Sequence, residues 1–303
     1  MTSAAAALLA AITVGTWNGE WFPSGRAEHR AAPEIEAATV KAAARMIREG
    51  LAVADPAGTN DIILCLNEMR GPKVARELCA EIGRSNLNVA VISAYRRRDR
   101  FDMQQDVIAT TLPVADAGWS RWKTAKADTP PRGYVTAKIV FSPTVTATVY
   151  AVHLKSNYGQ TTDELVRRNR RKRSLAIDQL MEQERRPKRK RKDSPPTPVI
   201  IAGDFNADKW SPSFSEETIF KSLEQAGFVN TTEALPPDKR ATHPGRGKWH
   251  NSALDYIMIR DAKMDGLPCT VSAEGISDHN PVFVNIENGP RPGPGRHLTA
   301  GLR

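Results

Sequence analysis

The chain has 303 residues, 40% of them apolar, and a formal net charge of +9. That is enough apolar material for one large domain with a sizeable core, and no apolar run reaches the ~20 residues of a membrane span. Three cysteines, Cys65, Cys79 and Cys269, are too few and too scattered for a disulfide framework or a zinc site.

In chain order, residues 1–11 are small and apolar without Lys or Arg. A secretory leader needs a basic start and a longer apolar run, so this stretch reads as a loose lead or as the remnant of a leader that starts upstream. The default compartment is cytoplasmic, with secretion the alternative. Residues 12–18, Ile-Thr-Val-Gly-Thr-Trp-Asn, are rich in β-branched side chains and predict a strand that ends in a polar loop. Residues 32–49 place Ile35, Ala38, Ala42, Met46 and Ile47 at helical spacing, with Pro33 suited to the first turn. Residues 62–66, Ile-Ile-Leu-Cys-Leu, predict a strand buried on both faces, with Cys65 as a small core residue.

A helix follows at 74–82, and strands at 89–93, 107–111, 134–141 and 145–152. Residues 162–184 predict a long helix with Leu165, Leu175, Ile177 and Leu180 among charges. Residues 185–198 carry Pro187, Pro195, Pro196, Pro198 and the run Lys188-Arg189-Lys190-Arg191-Lys192, and predict an exposed basic loop. The charge is concentrated here. Residues 164–193 hold thirteen Lys/Arg against five Asp/Glu, a net +8, so the rest of the chain is close to neutral. Such a patch is an electrostatic footprint for a polyanion, nucleic acid or anionic lipid. A strand at 199–202, a helix at 216–226 and strands at 254–259 and 281–286 complete the pattern, and residues 288–303, with Pro290, Gly293, Pro294 and Gly295, predict a disordered tail. The expected organisation is a single α/β domain over residues 12–287.

Six of these segments end in, or are followed at once by, acids, amides or histidine: Trp17-Asn18-Gly19-Glu20, Leu66-Asn67-Glu68, Val152-His153-Leu154-Lys155-Ser156-Asn157, Gly203-Asp204-Phe205-Asn206, Leu254-Asp255-Tyr256-Ile257 and Ser277-Asp278-His279-Asn280-Pro281. Polar groups at strand ends can converge on one edge of a sheet. Oxygen donors of this kind suit a hard cation such as Mg²⁺, or Mn²⁺ or Ca²⁺, and argue against structural zinc.

In this order, and above all in Gly-Asp-Phe-Asn at 203–206 with Ser-Asp-His-Asn-Pro at 277–281, the chain resembles the endonuclease/exonuclease/phosphatase superfamily. That superfamily includes deoxyribonuclease I, exonuclease III, sphingomyelinases and inositol polyphosphate 5-phosphatases. The resemblance runs from about residue 12 to 287 and implies a four-layer α/β/β/α sandwich. It implies that Asn18 and Glu68 hold a metal, with Asp278 a further carboxylate of the metal site. Asp204 and Asn206 would orient water and phosphate. His279 would lie beside the phosphate with Asp255 orienting it, and His153 matches the second histidine of the deoxyribonuclease I and sphingomyelinase branches.

The chemistry agrees with these roles. Hydrolysis of a phosphodiester adds negative charge in the transition state, which a cation offsets. One proton must leave the attacking water and one must reach the leaving alkoxide, and two histidines can do both. The expected assignment is His279 as base and His153 as acid, with the reverse, and Asp204 as base, left open. Asp106 is the candidate acidic partner of His153. Singly, each motif has a bland reading: Asp204 as a turn acid, Asp278 in an Asx turn, Asn18 as a cap. Glu20 is either near the metal or exposed, and Lys155 either binds phosphate or lies on the surface. His29, His243 and His250 read as surface or internally satisfied residues; Trp17, Trp21 and Phe22 read as core rather than base-stacking.

The expected function is therefore a metal-dependent phosphodiester hydrolase, first a nuclease on DNA or RNA, acting as a monomer without membrane insertion. The second reading is a phosphodiesterase or phosphatase on a lipid or small phosphoester, and the third a non-catalytic polyanion-binding protein. Residues 95–114 match no branch of the superfamily and are expected to supply substrate contacts. The loop at 242–252, with Arg246 and Lys248, is an unplaced candidate for phosphate contact.

Overall fold

Successive residues of one strand face opposite sides of a sheet, and the strand at 61–69 is apolar on both faces. Ile62, Leu64 and Leu66 enter one buried cluster, while Ile63 and Cys65 enter another. The computed structural model describes residues 11–25, 30–97, 100–101, 104–125, 128–157, 162–185, 197–245 and 250–287. Nearly all of the N-terminal lead, His29, most of the basic loop, Arg246, Lys248 and the C-terminal tail lie outside the described residues.

The strands are β1 (Ile12–Phe22), β2 (Asp61–Met69), β3 (Asn88–Ile92), β4 (Arg96–Arg97), β5 (Arg100–Phe101), β6 (Gln105–Thr110) and β7 (Val114–Arg121). After them come β8 (Gly133–Ser142), β9 (Val145–His153), β10 (Val199–Asp204), β11 (Val229–Asn230), β12 (Asp255–Arg260), β13 (Cys269–Thr270) and β14 (Val282–Ile286). The α-helices are α1 (Pro33–Ala54), α2 (Pro72–Ile82), α3 (Asp163–Arg185) and α4 (Ile219–Gln225). Pro33 opens α1, where its missing N–H costs nothing.

Two six-stranded sheets form, in the orders β13-β14-β1-β2-β6-β3 and β11-β12-β10-β9-β8-β7. Between them lies an apolar layer of Val14, Ile63, Ile108, Val135, Ile200, Ile257 and Val284 among others. Helices α1 and α2 cover the first sheet through Ile47, Leu51, Leu78 and Ile82. Helices α3 and α4 cover the second through Ile177, Leu180, Ile219 and Leu223. At about 1.5–3 kcal/mol for each large apolar side chain removed from water, these three layers supply the main drive to fold. The result is the expected α/β/β/α sandwich.

Five strands were not foreseen: the two-residue β4, β5, β11 and β13, and the longer β7. β7, Val-Ala-Asp-Ala-Gly-Trp-Ser-Arg, is an edge strand with nearly every residue exposed, so it carries no apolar pattern. No helix among the described residues is long and apolar enough to cross a membrane.

Candidate active site

The sheet directions gather the polar strand ends. β1 runs parallel to β2, and β9 parallel to β10, with Asp204 in register with both His153 and Asp255. One edge of the sandwich thus receives Asn18, Asn67, Glu68, His153, Asp204 and Asp255, and the turn before β14 adds Asp278 and His279. The backbone is shaped for this. The β1–β2 register shifts between Asn18 and Phe22, and Glu68 has φ 58°, the left-handed region where a non-glycine residue is costly. Gly203 has φ 143°, and a Cβ there would lie 1.9 Å from the Val152 carbonyl oxygen. Only glycine lets β10 approach β9 this closely just before Asp204.

His279 is tightly held. Its Nδ1 lies 2.7 Å from Asp255 Oδ2, which also accepts from Thr242 Oγ1 at 2.7 Å. Trp17 Nε1 donates to the His279 carbonyl at 3.0 Å, and the Ser277 hydroxyl bridges the His279 amide to the Asn18 carbonyl. Burial alone would lower the imidazole, but the carboxylate of Asp255, then those of Asp204 and Asp278, outweigh it and push it up to about 10. A carboxylate beside the ring fixes its tautomer and stabilises its cation, as in a hydrolytic triad.

His153 is fully buried, and its Nε2 lies 3.4 Å from Asp204 Oδ2 and 3.6 Å from Glu68 Oε1. Burial first, then the Arg132 charge, pulls it well below the usual histidine range. The two imidazoles are thus shifted in opposite directions, His279 toward its cation and His153 toward its neutral form, the direction that the reverse acid–base assignment, also left open by the sequence, requires.

Asp204 is the hub. Its Oδ2 accepts from Asn18 Nδ2 at 2.9 Å and Asn206 Nδ2 at 2.7 Å, its Oδ1 accepts the Asn206 amide, and its own amide donates to Asn67 Oδ1. Burial raises its carboxyl to about 7. The donor set fits a hard cation. Glu68 Oε2 accepts the Trp21 amide, its Oε1 lies 3.6 Å from His153 Nε2, and Asp255 Oδ1 is buried with no hydrogen-bond partner among the described residues. Among the described residues the close groups of three possible ligands are Asp204–Asp255–His279 and His243–Asp278–His279; Glu68 joins neither.

Asp106 does not partner His153. It accepts from Asn67 Nδ2 at 2.7 Å and Tyr95 Oη at 3.2 Å, while His153 Nδ1 is buried without a partner. The acid stands one strand over, on β6 beside β2, and spends its oxygens bracing Asn67, which in turn braces Asp204. Burial pushes Asp106 up to about 7, although Arg132, Asn67 and Tyr95 all favour its anion.

Unfolded, Asp106 would titrate near 4, at about 3.9. A raised acid stabilises the fold fully below that value, and its contribution is lost as pH rises toward 7. Asp106→Asn is therefore expected to lose less melting temperature than the parent between pH 5 and pH 8. Parallel melting profiles would contradict it.

Two residues joined the site without a signal in the sequence. His243, expected to be a surface or satisfied residue outside the site, is half-buried beside it, with Nε2 3.6 Å from Asp278 Oδ2 and its ring centroid 5.0 Å from that of His279. The loop that carries it folds back because Thr242 bonds Asp255 and the Asn280 amide donates to the Thr242 carbonyl. Arg132, at φ 63°, donates to the carbonyls of His153 and Leu154 and to Gln104 Oε1. It braces the segment after β9. Glu20 accepts the Asp278 amide and so ties two ends of the site together. Lys155 is half-buried and drawn down to about 8, by burial first. Trp17 and Phe22 are core, as expected.

The basic helix is less basic than its composition. On α3, Arg168 and Arg171 both pair with Asp128, Arg170 pairs with Glu216, and Arg173 is buried against Glu217. Four arginines of α3 are thereby matched within the fold.

A model described as the Endonuclease/Exonuclease/phosphatase family matches residues 15–279 of this chain. No curated protein matches it. Among solved structures, humanized D. rerio TDP2 with 14 mutations is similar with TM-score 0.59 and 14% identity, over 91% of this chain and 99% of that one. D. rerio TDP2 complexed with single strand DNA product gives 0.60 and 14%, again over 91% and 99%. The human Nocturnin catalytic domain with bound sulfate anion gives 0.61 and 15%, over 92% and 93%. At these identities the likeness is one of fold.

Proposed function

From the chain's membership of the endonuclease/exonuclease/phosphatase family, whose members hydrolyse phosphoesters, we propose that it is a divalent-metal-dependent nuclease that cuts DNA or RNA by attack of water. The observation that carries this reading is the pair of buried histidines, His279 on Asp255 and His153 between Glu68 and Asp204, at the edge where the strand ends meet. Glu68, Asn18 and Asp278 would hold Mg²⁺, or Mn²⁺ or Ca²⁺. Such an ion, when bound, offsets the charge that grows on the phosphoryl oxygens.

The chain's own groups supply the rest. One histidine takes the proton of the attacking water and the other returns a proton to the leaving alkoxide. Asp255 keeps the His279 ring in one orientation and compensates its positive charge. Asn206, held by Asp204 and the Leu154 carbonyl, presents an amide that can orient water or a phosphoryl oxygen. Asp204 stands 3.4 Å from His153 Nε2, and its charge favours the His279 cation.

The lipid reading lacks support among the described residues. The exposed large apolar side chains among the described residues, Ile35 and Val53 on α1, Val114 and Trp119 on β7, Leu165 on α3, and Trp210, Val229 and Leu267, are spread over several elements. The test compares turnover of plasmid DNA and RNA with that of sphingomyelin vesicles, in Mg²⁺ at low and high salt. A polyanion releases counterions on binding, so nucleic-acid cleavage is expected to fall steeply as salt rises. Preference for vesicles, or salt-independent cleavage, would overturn the reading.

A further inference from the structure

The edge strand β7 presents a tryptophan at the rim of the site. Trp119 is 40% exposed, and its ring meets Tyr95 at 87° with centroids 5.6 Å apart, so the two planes do not stack. The other exposed tryptophan among the described residues, Trp210, differs, because the Arg240 guanidinium covers it at 4.5 Å. Cross-strand register gives the direction. Trp119 faces Val135 and Arg121 faces Gly133, so both side chains stand on the side of β7 turned toward the other sheet. There they border the segment that begins at Tyr95.

Arg121 donates to the Arg96 carbonyl at 2.6 Å, and both arginines are exposed. Among the described residues neither has a carboxylate partner, in contrast to Arg168, Arg170, Arg171 and Arg173 on α3.

Two connections lead from this rim to the chemistry. Tyr95 Oη bonds Asp106, Asp106 bonds Asn67, and Asn67 accepts the Asp204 amide. On the other side Gly133, opposite Arg121, follows Arg132, whose guanidinium holds the carbonyls of His153 and Leu154. A strand entering the site past β7 would thus meet an aromatic face and two cations just before it reached the histidines.

We propose that Trp119 is a stacking platform for one unpaired nucleobase of a single-stranded or frayed nucleic acid, with Arg121 and Arg96 engaging the adjacent phosphate. This deepens the nuclease reading and rests on it. In a duplex both faces of every internal base are already covered, so an aromatic platform selects bases that are free to unstack, whatever their identity. Guanidinium groups beside it take the phosphate in forked hydrogen bonds.

The test is binding of a labelled single-stranded oligonucleotide, followed by fluorescence anisotropy in EDTA so that nothing is cut. The same backbone with abasic residues is the comparison, because it keeps the charge and removes the bases. The parent protein is expected to bind the base-bearing strand about ten-fold tighter or more. Trp119→Ala is expected to bring the two strands within about two-fold of each other, and Trp119→Phe to keep most of the difference. Arg121→Gln is expected to weaken both strands alike and to lower the salt slope by about one. Thermal melting checks that each variant is folded.

Equal binding of the two strands by the parent, no binding of either, or a difference that survives in Trp119→Ala would each overturn the proposal. Cleavage in Mg²⁺ is read separately. Base-dependent binding without cleavage keeps the platform and overturns the nuclease reading. Cleavage without base dependence does the reverse.

Discussion

Replacing His279 with alanine is expected to lower kcat on nucleic acid by about 10³-fold or more, with a far smaller change in KM. The imidazole is one of two buried groups placed to move a proton, and it is fixed by Asp255, by Trp17 through its carbonyl and by Ser277 through its amide. The substitution leaves the Asp255 carboxylate buried with Thr242 as its remaining side-chain donor, so some stability is lost as well. Asp255→Asn separates the two effects. It keeps the shape and the Thr242 contact but removes the charge that holds the imidazolium, and it is expected to cost about 10²- to 10⁴-fold in kcat. Steady-state rates with melting curves as the fold control decide it. Activity within tenfold of the parent in both variants would remove His279 from the chemistry.

Breaking the Arg173–Glu217 pair is the largest expected loss of stability. Arg173 and Glu217 have side chains 1% and 2% exposed, and Glu217 Oε2 accepts from Nε at 3.0 Å and from Nη2 at 2.6 Å. Nη1 donates to the Lys155 carbonyl at 2.7 Å and to Asn157 Oδ1 at 3.2 Å. The pair therefore joins α3 to the approach of α4 and to the segment that follows His153. Arg173→Met would leave a carboxylate buried without a counter-charge, and its Oε1 already lacks a partner. The expected cost is about 3–5 kcal/mol. A second change, Glu217→Leu, removes the stranded charge and is expected to restore most of that loss, because a buried ion pair adds little net stability over apolar packing. Urea unfolding of the two variants checks this. A loss under about 1 kcal/mol in Arg173→Met, or no recovery in the double variant, would contradict it.

The sandwich was legible where burial imposes a period. The strands at 62–66, 145–152 and 199–202 and the helices α1 to α3 carry apolar residues because they touch the core, and their positions follow from that. β7 touches the core least and left no pattern, although it carries Trp119. Helix α4 is shorter than the 216–226 expectation because Glu217 turns inward to Arg173 before the helix starts.

The site was legible as residue types at strand ends, since a parallel pair such as β1–β2 or β9–β10 must end on one edge. Its bracing was not legible. Asp106 supports Asn67 and leaves His153 alone because β6 lies beside β2, a neighbour relation that sequence spacing does not encode. His243 comes in on a loop fixed by Thr242, and Arg132 acts through backbone carbonyls far along the chain. The pairing along the basic helix was hidden for the same reason. Its composition counts charges, and only the fold shows that Asp128, Glu216 and Glu217 face them.

The most direct test of the central claim is cleavage of supercoiled plasmid and of single-stranded DNA and RNA by the purified protein in Mg²⁺ or Mn²⁺, beside EDTA. The account predicts cleavage that EDTA abolishes and added metal restores, with Glu68→Gln needing more metal to reach the same rate. Cleavage that persists undiminished in EDTA, or no cleavage of any nucleic acid by the folded protein with metal present, would contradict it.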